Sequence, residues 1–303
     1  MEQYHLSEKA VLGIIAKALG GFYYVKTAQG QIECRARGVF RNKGVTPFVG
    51  DKVKIELTHG GKGYVTEIMP RKNSLIRPPI ANIDYLVMVV SVASPPPNLF
   101  VLDKLIAIAE YKNIEPVIAI TKCDLASPDE LAAIYKAAGF KVFCISAIKG
   151  EGIEQFVSAL AGSTAAFCGN SGAGKSSLLN AIDSRFNIET ADISKKLGRG
   201  RHTTRHIELY ELENGAVVAD TPGFSAIETE YFDVILKQEL QHCFREFEQY
   251  IGKCRFKGCS HICEKGCAVL DAVKNGEIPP SRHESYIQMY RSAENIKEWE
   301  LNR

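Results

Sequence analysis

The sequence predicts an α/β protein in three parts: an N-terminal barrel of short strands, a central domain with a mostly parallel sheet, and a C-terminal helical region gathered round cysteines. Three observations carry this. From Leu12 to Met69, β-branched and aromatic runs lie between glycine-rich turns. From Tyr85 onward, apolar runs alternate with helical patterns, as in parallel sheets covered by helices. Five of the nine cysteines fall between Cys243 and Cys267. The expected domains are residues 1–72, 73–229 and 230–303.

Composition excludes several classes. With 303 residues, 46% of them hydrophobic and 24% charged, the chain is long enough for two or three domains and is not disordered as a whole. The best apolar run, Ile83–Ala93, is interrupted by Asp84 and Tyr85 and is too short to span a bilayer. Glu2, His5, Glu8 and Lys9 near the start argue against a secretory signal, so a cytoplasmic protein with no membrane partner is expected. The net charge of +2 conceals a division. Met1–Lys72 holds 12 Lys and Arg against 6 Asp and Glu, whereas the rest holds 25 basic and 29 acidic residues. A basic front end suits a polyanion partner.

In the barrel, strands are expected at Gly20–Val25, Gln31–Ala36, Asp51–Leu57 and Gly63–Ile68. Val53–Leu57 alternates apolar and charged residues in the two-residue period of a half-buried strand. Four or five such strands suit an OB-fold, and Arg35, Arg37, Arg41 and Lys43 beside Phe40 suit nucleic-acid contact. Phe22, Tyr23, Tyr24 and Phe40 are equally suited to filling the barrel. Arg71–Ala81, with Pro78 and Pro79, reads as a linker.

The central domain is read as strands at Tyr85–Val92, Pro116–Ile120, Val142–Ile145 and Ala165–Cys168. Helices at Leu99–Tyr111, Asp129–Ala138 and Ile153–Leu160 lie between them. Further strands are expected at His206–Leu212 and Ala216–Ala219, and a charged helix near Glu284–Leu301. Cys34, Cys123, Cys144 and Cys168, scattered among apolar neighbours, read as small buried hydrophobes.

Gly169-Asn170-Ser171-Gly172-Ala173-Gly174-Lys175-Ser176 fits G-x-x-x-x-G-K-[ST] between a strand and a helix that includes Ser177. Backbone N–H groups of such a loop cradle phosphates, Lys175 neutralises the β- and γ-phosphates, and Ser176 ligates Mg²⁺. Thr121-Lys122-Cys123-Asp124 follows an earlier strand. A carboxylate at Asp124 can accept from N1–H and the 2-amino group of guanine, while Ser146-Ala147 can offer an N–H to the 6-oxo group. The competing reading of Asp124 is a helix N-cap. Together the loops point to GTP. Phosphate loops ordinarily precede base-reading loops; here the order is reversed, as in a circularly permuted P-loop GTPase domain.

Asp220-Thr221-Pro222-Gly223 ends a strand. Asp220 is expected to hold Mg²⁺ through water and Gly223 to sense the γ-phosphate. Phe224 stands where many GTPases place a water-orienting glutamine. The basic segment Lys195–Arg205 reads as the first switch, with Thr203 or Thr204 reaching Mg²⁺. His202 either positions water or, with Arg199 and Arg201, contacts polyanion. Cys254, Cys259, His261, Cys263 and Cys267 offer five ligands to a metal that takes four, and a closed Cys₃His set is a structural zinc site. His5, His59, His206, His242 and His283 show no partner in the sequence and read as surface or structural.

This order of motifs (TKCD, SA, GNSGAGKSS, GRGRHTT, DTPGF, then C-x4-C-x-H-x5-C, behind an N-terminal stretch with GGFYY and VGDKV) resembles the circularly permuted GTPases of the RsgA (YjeQ) family over nearly the whole chain. The resemblance implies an N-terminal OB-fold and a C-terminal helical zinc-binding domain flanking the GTPase. It also implies a bacterial enzyme acting late in small-subunit maturation, bound to and stimulated by the small ribosomal subunit and its rRNA. It places one structural Zn²⁺ on Cys254, Cys259, His261 and Cys267, Mg²⁺ with GTP, and an apolar residue at Phe224 where others carry glutamine. A monomer is expected. The rival readings are an RNA-binding regulator that uses GTP only as a conformational latch, and an ATPase or small-molecule kinase on the same loop.

Overall fold

The structure is a computed structural model in which residues 10–38, 40, 44–58, 60–186, 207–220, 235–294 and 296 are described. It divides into two compact units. The first draws on the described residues of Met1–Ile83, Gly162–Ala166 and His202–Gly223, the second on those of Asp84–Ala161, Phe167–Arg201 and Phe224–Arg303.

The first unit holds the barrel. Strands β1 (Ala10–Leu19), β2 (Phe22–Thr27) and β3 (Gly30–Ala36) form an antiparallel meander. β3 runs parallel to β5 (Gly63–Ile68), which pairs antiparallel with β4 (Lys52–Leu57), and β4 closes on β1. A strand that serves two sides of a small barrel must bend, and β1 does so at a register shift between Ile15 and Lys17. Alternate residues Ile15, Val25, Ile32, Cys34, Val53, Ile55 and Val65 fill the interior, as strand periodicity requires. Phe40 is buried too, while Arg35 and Arg37 are exposed.

The stretch expected to be a linker belongs instead to the barrel unit. It folds into a hairpin of β6 (Ser74–Leu75) and β7 (Ile80–Ala81), with Ile80 bridged to Val49. Arg71 binds the fully buried Asp51 through Nε at 2.7 Å and Nη2 at 2.8 Å, and lies over the Phe48 ring. The Asn73 side chain closes on both the N–H and C=O of Ile83. Proline content suggested a spacer, but Leu75, Ile80 and Ala81 are buried apolar residues that a solvated spacer would not contain.

In the same unit, β12 (Ile207–Glu211) and β13 (Val217–Asp220) form an antiparallel pair. β13 runs parallel to Thr164–Ala166, the first half of β11 (Thr164–Gly169). β12 also pairs with β1, Lys17 opposite Glu208, and the Lys17 ammonium donates to the Glu208 carboxylate at 2.8 Å.

The second unit contains the parallel strands β8 (Tyr85–Ser91), β9 (Glu115–Thr121) and β10 (Lys141–Ile145), in the order β10-β9-β8. β8 and β9 are buried on both faces, which explains their unbroken apolar sequences. The helices are α1 (Leu99–Tyr111), α2 (Asp129–Ala137), α3 (Ile153–Ala159) and α4 (Lys175–Ile182). Asn98 caps α1 by accepting from the Val101 N–H. The C-terminal helices α5 (Lys237–Leu240), α6 (Ala268–Lys274) and α7 (Pro280–Ala293) enclose Phe244, Phe247, Val269, Ile278 and Tyr286, and this cluster reaches Ala107 of α1. At its edge Arg282 of α7, fully buried, donates to Asp103 of α1 at 2.7 Å and to Glu246 at 2.7 and 3.2 Å. Tyr135 of α2 donates to the same Asp103 at 2.9 Å. Burial disfavours the Arg282 charge, but Glu246 and Asp103 outweigh it and raise its pKa.

Candidate functional site

The phosphate loop lies where β11 ends. Gly169 passes so close to β8 that a Cβ there would meet the Val89 carbonyl at 2.3 Å. Gly174, at φ +93°, turns the chain into α4, whose first turn carries Lys175, Ser176 and Ser177. The Ala173 N–H returns to the Asn170 carbonyl at 3.0 Å, and Ala173 is buried. Amides at a helix N-terminus favour phosphate by their orientation and by the helix dipole.

The base-reading loop is tied to the phosphate loop at two points. The Thr121 hydroxyl donates to the Ala173 carbonyl, with the Val90 carbonyl 3.3 Å away. Lys122, at φ 61°, sends its ammonium to the Gly172 carbonyl at 2.8 Å and to the Ser94 carbonyl. Thr121 thus makes a side-chain tie between the two loops. Asp124 does not cap a helix: Pro128 stands at the N-cap of α2, without a side-chain bond. Asp124 instead accepts from the Ser146 hydroxyl at 2.8 Å, which joins the two base-reading loops. The Ser146 N–H is bonded to the Glu151 carbonyl at 3.1 Å, so of the predicted pair it is Ala147 that can offer a backbone donor to a 6-oxo group.

Thr121, Lys122, Asp124, Ser146, Ala147 and Gly169–Ser177 therefore lie in one unit, with direct bonds between the three loops. Asp220 ends β13 in the other unit. His202, Thr203, Thr204, Gly223, Phe224, Arg199, Arg201, Arg41 and Lys43 lie outside the described residues. Of the basic residues expected to meet RNA, Arg35 stacks over Phe22 at 4.6 Å and Arg37 pairs with Glu56. Both remain exposed, so neither is withdrawn from the surface.

In the C-terminal region, ligand atoms of Cys254, Cys259, His261 and Cys267 lie within 4.8 Å of one another. The Cys254 and Cys267 sulfurs are 3.9 Å apart and lie 3.5 and 3.4 Å from His261 Nδ1. Tetrahedral zinc, with Zn–S near 2.3 Å and Zn–N near 2.0 Å, spaces its ligand atoms at about 3.3–3.8 Å, close to the 3.4–3.9 Å among Cys254, His261 and Cys267, and a small inward shift brings in the remaining ligand. Cys263 is exposed and lies outside the cluster, which reduces the five donors of the sequence to four.

Side chains that the sequence did not single out hold these ligands in place. His261 Nε2 bonds Gln241 Oε1 at 3.0 Å, fixing the tautomer that leaves Nδ1 for a metal. Burial lowers the His261 pKa and favours the neutral ring a ligand requires. His283 bonds the His261 carbonyl at 2.8 Å, and the Tyr286 hydroxyl donates to the Ser260 carbonyl at 2.9 Å. The Glu264 carboxylate gathers the Ser260, Ile262 and Cys263 N–H groups and the Ser260 hydroxyl. Burial alone would raise its pKa, but these donors hold it down at about 2. His283 and Tyr286 are three apart on α7, a spacing that puts both on one helical face.

Comparison with known proteins identifies the family. The family models for the RsgA GTPase and the RsgA N-terminal domain match residues 68–230 and 12–65. The chain is 44% identical over 296 residues to the small ribosomal subunit biogenesis GTPase RsgA of Caldanaerobacter subterraneus, covering 97% of this chain and 98% of that one. The chain belongs to the RsgA GTPase family. A second RsgA, from Clostridium beijerinckii, is 45% identical and covers 96% of this chain and 99% of its own. Among solved structures, YjeQ from Thermotoga maritima superposes with a TM-score of 0.79 at 33% identity, covering 95% of this chain and 100% of its own. YloQ, described as a circularly permuted GTPase, gives 0.77 at 34% identity and covers 98% and 99%. The chain is accordingly a GTPase with the permuted order that its motifs indicate.

Proposed function

We propose that this protein hydrolyses GTP on the small ribosomal subunit during its late assembly, binding rRNA through the barrel and the basic segment Lys195–Arg205. The observation that carries the reading is near-full-length similarity to proteins named small ribosomal subunit biogenesis GTPases. It favours turnover over a latch and over an ATPase or kinase. No helix among the described residues is long and apolar enough to cross a membrane, and the proposed location is the cytoplasm, as a monomer.

In this reading Asp124 binds the guanine edge, Ala147 offers its N–H to the 6-oxo group, and the loop 169–174 with the start of α4 encloses the phosphates. Lys175 neutralises charge that builds between β- and γ-phosphates, and Ser176 holds Mg²⁺. Mg²⁺ supplies charge neutralisation on the phosphate oxygens. His202 positions the attacking water, since Phe224 has no polar group to do so. Cys254, Cys259, His261 and Cys267 hold one Zn²⁺, which staples the C-terminal helices. GTP favours subunit binding and hydrolysis favours release.

GTP hydrolysis titrated with purified small subunits tests this. Stimulation in the wild type, with loss of the stimulated rate but retained nucleotide binding in His202→Ala, is expected. No stimulation by subunits would favour the latch, and an unchanged rate in His202→Ala would remove that residue from the chemistry.

A further inference from the structure

The four scattered cysteines do not behave alike. Cys34 and Cys168 are 1% and 0% exposed, inert in the two cores. Cys123 and Cys144, expected to be buried in the same way, are only partly so. They also meet. Cys144 lies on β10 opposite Ile120 of β9, and the chain leaving β9 turns back so that the Cys123 N–H reaches the Ile145 carbonyl at 3.3 Å. The Cys123 thiol donates to the Ile120 carbonyl at 3.3 Å, and Ile120 is the residue that Cys144 faces across the two strands, so the two cysteines are neighbours.

Their positions in the chain give that contact meaning. Cys123 lies between Lys122 and Asp124, and Cys144 is two residues before Ser146. The pair therefore spans the two base-reading loops at the point where Ser146 also bonds Asp124. We propose that Cys123 and Cys144 are a dithiol site at which a peroxide closes a disulfide across the two loops and lowers affinity for guanine nucleotides. This rests on the assignment of Asp124 and Ala147 to the base.

The chemistry balances with hydrogen peroxide as oxidant. One thiol, as thiolate, attacks a peroxide oxygen; the O–O bond breaks, one water leaves and a sulfenic acid remains. The second thiol attacks that sulfur, the S–S bond forms and the second water leaves. Two electrons and two protons pass from the thiols to the peroxide. An S–S bond of about 2.0 Å is much shorter than thiol–thiol contact, so closure draws Cys123 toward β10. Lys122 and Asp124 are its immediate neighbours, bonded to Gly172 and Ser146, so closure strains the contacts that hold the base-reading loop. Burial pushes the Cys123 thiol up to about 11, so the thiolate is scarce at neutral pH and the reaction calls for sustained oxidant.

The test uses the zinc-loaded full chain. It is treated with hydrogen peroxide, alkylated and mapped by tryptic digestion, while affinity for a fluorescent GDP analogue is measured before oxidation, after it, and after dithiothreitol. Expected are a linked peptide pair containing Cys123 and Cys144 and an affinity loss of ~10-fold or more, reversed by reductant. Cys144→Ser and Cys123→Ser, each folded and binding GDP when reduced, should lose both effects. Absence of the linked peptide overturns the proposal. So does an equal loss in Cys144→Ser, which would trace the effect to oxidation of the zinc ligands. A reduced wild type that fails to bind GDP refutes the base-loop assignment instead, and the peptide map still decides whether the disulfide forms.

Discussion

The proposed nucleotide site and the candidate metal centre are two ways of building a binding site in one chain. At the nucleotide site, the groups that hold the loops together bond mostly to main-chain atoms: Thr121 to Ala173, Lys122 to Gly172 and Ser94. The metal centre is made of four side chains converging within 4.8 Å, held from behind by Gln241, His283, Tyr286 and Glu264. A ligand that must leave each cycle suits glycine-rich loops whose amides remain available. A resident ion suits a closed cage, because its binding energy is also folding energy.

Removing the ion should show that contrast most strongly. Structural zinc contributes about 10–16 kcal/mol of apparent binding energy in small zinc modules, so Cys259→Ala or strong chelation should abolish stoichiometric zinc and melt the C-terminal helices. Metal analysis beside thermal unfolding checks this, and a full zinc load in Cys259→Ala would break the assignment. Next in size is Arg282→Ala, which leaves Asp103 and Glu246 buried without their partner. It should cost about 3–5 kcal/mol in denaturant unfolding. A loss below 1 kcal/mol would mean water replaces the guanidinium.

The nucleotide side should respond more modestly. Asp124→Asn removes a charged acceptor, so GTP affinity should fall by about 1.5–3 kcal/mol for each guanine bond lost, with xanthosine triphosphate bound in its place. Competition between the two nucleotides measures it, and retained GTP preference would return Asp124 to a structural role. Smallest is Thr121→Val, which deletes one hydroxyl tie between loops. It should weaken nucleotide binding by about 1 kcal/mol without altering base preference. Loss of folding instead would show the tie to belong to the core.

The sequence made the nucleotide site far more legible than its surroundings. Gly169, Gly174 and Lys175 stand in the spacing that a phosphate loop requires, and β8 and β9 are buried on both faces, so their runs read clearly. Arg282 and His283 stayed hidden because charged and imidazole side chains on a polar helix read as solvated. Only the fold brings Asp103, 179 residues away, to meet Arg282. The hairpin at 74–81 was concealed by Pro78 and Pro79, which mark a break in regular structure but do not reveal what the chain packs against. Cys123 and Cys144 looked like Cys168 because local apolarity does not report where the chain turns back after a strand.

The antiparallel register between β1 and β12 has a consequence in time. The barrel strands and the hairpin packed on them end at Ala81, so the barrel can close once that length has emerged from the synthesising ribosome. Lys17 and Glu208 are separated by 191 positions, and loop-closure entropy makes so distant a pairing late as well as slow. Until then the outer half of β1 is an uncovered strand edge on an otherwise finished barrel. The strand that covers that edge comes only with the second half of the chain, so the early barrel carries the open edge that strand pairing elsewhere in proteins seeks out.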